Sequence, residues 1–106
     1  MEIYAWQLEA PDDAPPEIGC AGHFYLHGTL ERENGYDLCG MLRKDYPKKD
    51  GIYDVTVKFN DGKPDKPARF YYWKVNGRYR GLVCNIDDEY ANRIAQYKFD
   101  ERAEWL

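Results

Sequence analysis

Between Tyr53 and Phe59 the chain alternates strictly, with Tyr53, Val55, Val57 and Phe59 interleaved with Asp54, Thr56 and Lys58. Successive side chains of a strand point to opposite faces, so this segment predicts a half-buried strand with its polar side in water. The same alternation near the start of the chain sets Tyr4, Trp6 and Leu8 against Ile3, Ala5 and Gln7 and predicts a first strand. Residues 10–19 follow as an acidic loop in which Pro11, Pro15 and Pro16 forbid regular pairing.

A strand from about His23 to Glu31, a turn at Asn34-Gly35 and a strand from Tyr36 to Arg43 predict a hairpin. A loop of three residues places Phe24, Leu26, Gly28 and Leu30 on the same face as Leu42, Gly40 and Leu38. It also sets Glu31 opposite Asp37. That repulsion at an exposed tip is small beside burying large apolar side chains at roughly 1.5–3 kcal/mol each. The expected core is therefore Phe24, Leu26, Leu30, Leu38, Leu42, Val55, Val57 and Phe59.

The richest stretch runs from Arg69 to Cys84. Asn76-Gly77 lies between two runs of aromatic and β-branched residues, and a type I′ turn needs positive φ at both central positions. A two-residue loop pairs Val75 with Arg78, Lys74 with Tyr79, Trp73 with Arg80, Tyr72 with Gly81, Tyr71 with Leu82 and Phe70 with Val83. A longer loop would oppose Lys74 to Arg78 and lose the Trp73/Arg80 and Lys74/Tyr79 cation–π pairs, each worth roughly 0.5–1 kcal/mol when exposed. Both faces of this hairpin carry aromatic rings. One must be core, and the other is either covered by a helix or left as a platform.

The chain then changes period. Asp87-Asp88-Glu89 supplies a cap and first-turn acids, and Tyr90, Ala91, Ile94, Ala95 and Tyr97 recur at helical spacing, so a helix from about Asp88 to Tyr97 or beyond is expected to pack on the sheet. Phe99, Trp105 and Leu106 extend its apolar side or dock as a tail. The predicted fold is α+β: a twisted antiparallel sheet of about five or six strands, mostly a meander, with one C-terminal helix packed on it. A length of 106 residues is expected to make a single globular domain.

Composition narrows the class further. A hydrophobic fraction of 43% and ten tyrosines argue for a packed core. No apolar run approaches the ~20 residues of a membrane helix, and the first residues lack the basic and apolar regions of a signal peptide, so a cytoplasmic protein is expected. Cys20, Cys39 and Cys84 are odd in number and form no C-x-x-C pair, which fits reduced buried thiols. The net charge of −4 is unevenly spread: residues 1–20 carry −5 and residues 87–106 carry −3, whereas residues 63–86 carry +5. A basic hairpin between acidic ends suits an anionic partner or internal pairing.

Chemistry is sparse. The chain contains no serine, which removes serine-nucleophile motifs, and no phosphate-binding glycine loop, dinucleotide fingerprint or EF-hand spacing occurs. Cys20, His23, His27 and Cys39 could be drawn as a zinc set, but strand residues four apart lie roughly 13 Å apart, too far for one metal centre. Neither metal nor cofactor nor enzyme activity is expected. Trp, Tyr and Arg are the side chains most enriched at interface hot spots. The candidate binding residues are therefore Arg69, Tyr72, Trp73, Lys74, Arg78, Tyr79 and Arg80, and the expected function is a non-enzymatic protein-binding domain of inhibitor or adaptor type. Small stand-alone proteins of that kind, many of them phage-encoded, share this size and composition. The alternative is a single-stranded nucleic-acid-binding module that stacks bases on the same rings, a reading the acidic balance opposes.

Overall fold

In the computed structural model of the chain, residues 1–7, 20–33, 36–43 and 49–104 are described. The acidic proline segment 10–19, the Asn34-Gly35 turn, residues 44–48 and the terminal Trp105 and Leu106 lie outside them. The elements are β1 (Glu2–Gln7), β2 (Cys20–His27), β3 (Arg32–Glu33), β4 (Tyr36–Arg43), β5 (Gly51–Phe59), β6 (Lys66–Val75), β7 (Arg78–Asn85) and α1 (Glu89–Asp100). A single 3₁₀ turn, Gly28–Leu30, separates β2 from β3.

The α+β composition with one C-terminal helix is as expected, but the sheet is mixed rather than an antiparallel meander. Its seven strands run in the order β1-β5-β6-β7-β2-β4-β3, and β1 also pairs with β4. Pairing thus returns to its starting strand, and the sheet curls round on itself, with the short β3 paired antiparallel to the first residues of β4. The physical reason for the departure is insertion. A meander would pair β4 with β5, but β1 lies between them, antiparallel to β4 and parallel to β5. In the same way β2 lies between β4, antiparallel, and β7, parallel. A strand placed between two neighbours of opposite direction must run parallel to one of them.

The β2–β4 register is a second correction. Gly40 is paired with Phe24, where the sequence pattern sets it opposite Gly28, a shift of four residues. The 3₁₀ turn takes residues out of the ladder, and beyond it Arg32 pairs with Asp37 and Glu33 with Tyr36. An even shift leaves each side chain on its original face, so Phe24, Leu26 and Leu30 still reach the core. Gly28 makes the turn possible: its φ is +63°, and a Cβ there would lie 2.4 Å from Asp88 Oδ2 and 2.5 Å from Ala91 Cβ.

Two apolar layers flank β6 and β7. The inner one, enclosed by the curled sheet, buries Ile3, Ala5, Phe24, Leu26, Leu30, Val55, Val57, Ala68, Phe70, Tyr72 and Val83, with Tyr53, Phe59 and Tyr79 at its margin. Phe59 is thus peripheral to the core, while the side chains of Leu38 and Leu42 lie outside the description. Asp54 is exposed, and Thr56 and Lys58 are half-buried on the opposite face of β5. Phe24 and Phe70 meet edge to face at 5.1 Å above Gly81.

The outer layer packs Tyr71, Trp73, Leu82 and Cys84 against Ala91 and Ala95 of α1, with Val75 and Phe99 at its edge. The small Ala91 and Ala95 side chains let the helix lie close to the sheet. The Asp88 carboxylate caps the helix by accepting the Ala91 N–H at 3.0 Å, and its other oxygen accepts the Thr29 N–H at 2.9 Å. Tyr71 Oη donates to Asn92 Oδ1 at 2.8 Å, joining helix to strand. At the far end the Ala103 N–H reaches Lys98 O at 2.9 Å and the Arg102 N–H reaches Phe99 O at 3.0 Å. This is a Schellman closure with Arg102, φ 48°, where glycine is usual.

These contacts make the acid response of the fold predictable. Hydrogen bonds from Ala91 and Thr29 hold the Asp88 carboxyl below its ordinary 3.8. Its stabilising effect is present above the unfolded value and is lost as pH falls through the lower folded value. Asp88→Asn should keep a cap acceptor yet flatten the dependence of the urea midpoint on pH below about 4. An unchanged acid limb in this variant would contradict the assignment.

Candidate interaction surface

The β6–β7 hairpin forms with the register its turn chemistry predicts, from Val75 opposite Arg78 to Phe70 opposite Val83. Asn76 and Gly77 have φ of 51° and 80°, as a type I′ turn requires. The hairpin brings Arg69, Tyr72, Trp73, Lys74, Arg78, Tyr79 and Arg80 onto one element but divides them between its two faces.

Tyr72 and Trp73 are both 0% exposed, so neither presents a ring to a partner in this conformation. Tyr72 belongs to the inner layer, stacked on Tyr79 with ring centroids 4.5 Å apart and planes within 5°. Trp73 belongs to the outer layer: it meets Phe99 edge to face at 6.3 Å, and its Nε1 donates to Ala103 O at 2.9 Å. The face that the sequence left open as a platform is covered by the helix and the turn that ends it.

The remaining candidates form a rim around these buried rings. Arg69 is half-buried beside Tyr71 and shares a hydrogen bond with it, an interaction that opposes the rise in the Tyr71 pKa caused chiefly by burial. Lys74 is exposed, with its ammonium 5.5 Å from the centre of the Tyr79 ring, the expected cation–π pair. Its backbone N–H donates to Asp50 Oδ1 at 3.0 Å, while Asp50 Oδ2 receives Arg102 Nε at 3.0 Å. One carboxylate thereby joins the approach to β5, the hairpin and the turn after α1. Arg78 is exposed, and Tyr79 and Arg80 are half-buried. Arg80 Nε is out of water with no hydrogen-bond acceptor.

A second group of exposed rings was not selected from the sequence as a site. Tyr90 and Tyr97 are 72% and 67% exposed, although their spacing places them in the predicted apolar series. The helix turns its Ala91–Ala95 side to the sheet, which leaves positions 90 and 97 together on the outward face. Tyr25 is also exposed, beside Leu82 on the neighbouring strand. The available signal was residue size: paired alanines mark a close helix–sheet contact better than tyrosines do.

Two titratable groups lie near these surfaces. Burial lowers the His27 pKa, with Lys98 acting in the same sense and Glu31 and Asp88 opposing. Its Nε2 is buried without a hydrogen-bond partner. Cys84 is a free buried thiol, pushed up to about 12 chiefly by burial. Native Cys84 should therefore be alkylated at pH 8 only on a timescale set by opening of the fold, as read by peptide mapping after timed iodoacetamide exposure. Labelling at the rate of a free peptide thiol would contradict its burial. The Cys20, His23 and Cys39 side chains fall outside the description, so the zinc set considered from the sequence does too. Among the described residues no group of His, Cys, Asp or Glu side chains is placed to hold a metal.

Comparison with protein-family models, with curated proteins and with solved structures found no match. Among the described residues no helix is long and apolar enough to cross a membrane.

Proposed function

We propose that this chain is a non-enzymatic protein-binding domain, of inhibitor or adaptor type, that acts by masking or bridging a macromolecular partner. The observation that carries the reading is the rim of Lys74, Arg78, Tyr79 and Arg80, held at a stiff type I′ hairpin whose central rings are fixed in two cores. Arg and Tyr on a rigid support are what interface hot spots are made of, because little conformational entropy is left to lose on binding. Tyr72 and Trp73 contribute by holding that rim in place from within. A cytoplasmic setting belongs to the same reading, because three cysteines without a C-x-x-C pair fit reduced thiols.

Single-stranded nucleic acid is the competing partner. It needs free ring faces for stacking, and the burial of Tyr72 and Trp73 weighs against it. The test is affinity capture from native lysate with and without nuclease. Recovery of one protein regardless of nuclease is the expected result, whereas recovery that disappears with nuclease would assign the domain to nucleic acid. Recovery of nothing under either condition would refute both readings.

A further inference from the structure

We propose that Arg78 and Arg80 form a two-point carboxylate clamp for an extended acidic segment of a partner protein. This rests on the protein-binding reading above and names the chemistry of the partner. Arg78 and Arg80 are alternate residues of β7 and so project from the same side of the strand. Two residues of strand span roughly 6.5–7 Å, which matches the separation of acidic side chains at alternate positions of another extended segment. Clamp and ligand therefore share a period.

The hairpin register fixes the backbone beneath both arginines, and Arg80 is half-buried as well. Arg78 lies opposite Val75 beside the turn, and Arg80 lies opposite Trp73, which is anchored to Ala103 and Phe99. Such pre-organisation lowers the entropic cost of meeting a ligand. Arg80 Nε is buried without an acceptor, so part of the desolvation that binding would demand has already taken place in the free domain. Among the described residues no carboxylate of the chain's own acids is paired with either guanidinium, although Asp50 pairs with Arg102 and Asp65 with Lys58. A planar guanidinium satisfies a carboxylate better than an ammonium does. Among the described residues the clamp is thus a charged site with no carboxylate paired to it, while Glu104 Oε1 accepts from Asn76 Nδ2 at the same hairpin tip.

The test follows amide and arginine side-chain NMR shifts of the full chain at low salt. One probe is the hexapeptide Gly-Glu-Val-Glu-Val-Gly, and the control is its isomer Gly-Glu-Glu-Val-Val-Gly, with equal charge but adjacent acids. Shifts centred on the hairpin tip are expected, with the alternating peptide binding several-fold tighter. Arg78→Gln and Arg80→Gln should each weaken it by about tenfold, the size of one charge-assisted contact, with thermal midpoints close to that of the parent. Equal affinity for the two isomers, or unchanged affinity in folded Gln variants, would overturn the clamp. Arginine-dependent binding of oligo-dT in place of the peptides would overturn it in favour of nucleic acid. If the Arg78→Gln, Arg80→Gln double variant still captured the same protein from lysate, the clamp would fall while the protein-binding reading stood.

Discussion

Trp73→Ala is expected to destabilise the protein by about 3–5 kcal/mol, the usual cost of emptying a large buried aromatic site. Trp73 is 0% exposed, and its removal would also leave the Ala103 carbonyl without its donor and Phe99 without its ring partner. Set against a total stability of roughly 5–15 kcal/mol, the loss threatens the folded state itself. Urea denaturation followed by far-UV circular dichroism would show the midpoint collapse. Trp73→Phe should cost clearly less, since it keeps most of the packing and gives up the hydrogen bond. A folded Trp73→Ala variant of parental midpoint would place Trp73 at the surface after all, and would restore it as a contact residue.

Phe70→Ala should cost a similar amount, about 3–5 kcal/mol, from the opposite layer. Phe70 sits within ring contact of both Phe24 and Tyr72, at 5.1 and 5.0 Å. Its ring also occupies the space over Gly81, where a Cβ would lie 2.4 Å from Phe70 Cε1 and 2.7 Å from Phe24 Cδ1. Gly81→Ala alone should therefore destabilise by about 1–3 kcal/mol through overpacking. Together the two changes should cost less than their sum, because the added methyl enters the space that Phe70 leaves. Strict additivity in denaturation midpoints would mean that the two positions do not share a cavity.

The contrast between these layers explains which parts of the fold were legible in the sequence. The β6–β7 register followed from local chemistry alone: Asn76-Gly77 fixes the turn, and the pairing from Val75–Arg78 onward has no freedom left. The alternation around Val55 and Val57 likewise named an inward face that the structure buries. Parallel pairing of β1 with β5 and of β2 with β7 has no such local signature, because nothing in either strand names a partner that far along the chain. The β2–β4 register failed for a different reason. The alternation makes Gly28 one more residue of a strand, whereas its left-handed conformation ends the strand and seats the turn against Asp88 and Ala91.

For the candidate surface, residue type was legible and exposure was not. Seven aromatic or basic residues could be assigned to one hairpin, but whether a helix covers Trp73 depends on where Ala91 and Ala95 dock. Amphipathic spacing from Tyr90 to Tyr97 spans an arc wider than the contact. Only packing decides which edge of that arc meets water. The cationic positions fared better, since Lys74 and Arg78 are exposed, as long charged side chains at a turn generally are.

The position of β1 between β4 and β5 bears on the order in which the chain can assemble. On a ribosome, β1 emerges before either partner and has no neighbour until residues 36–59 have followed it. The β5–β6–β7 hairpins and α1 are contiguous in sequence and close small loops, so they are suited to form an early nucleus. Ile3 and Ala5, wholly enclosed in the finished protein, must meanwhile wait in water or in the care of a chaperone. Closure of the sheet would then wait on a strand made well before its partners, and slow closure there would leave a transient sticky edge that the folded domain no longer has.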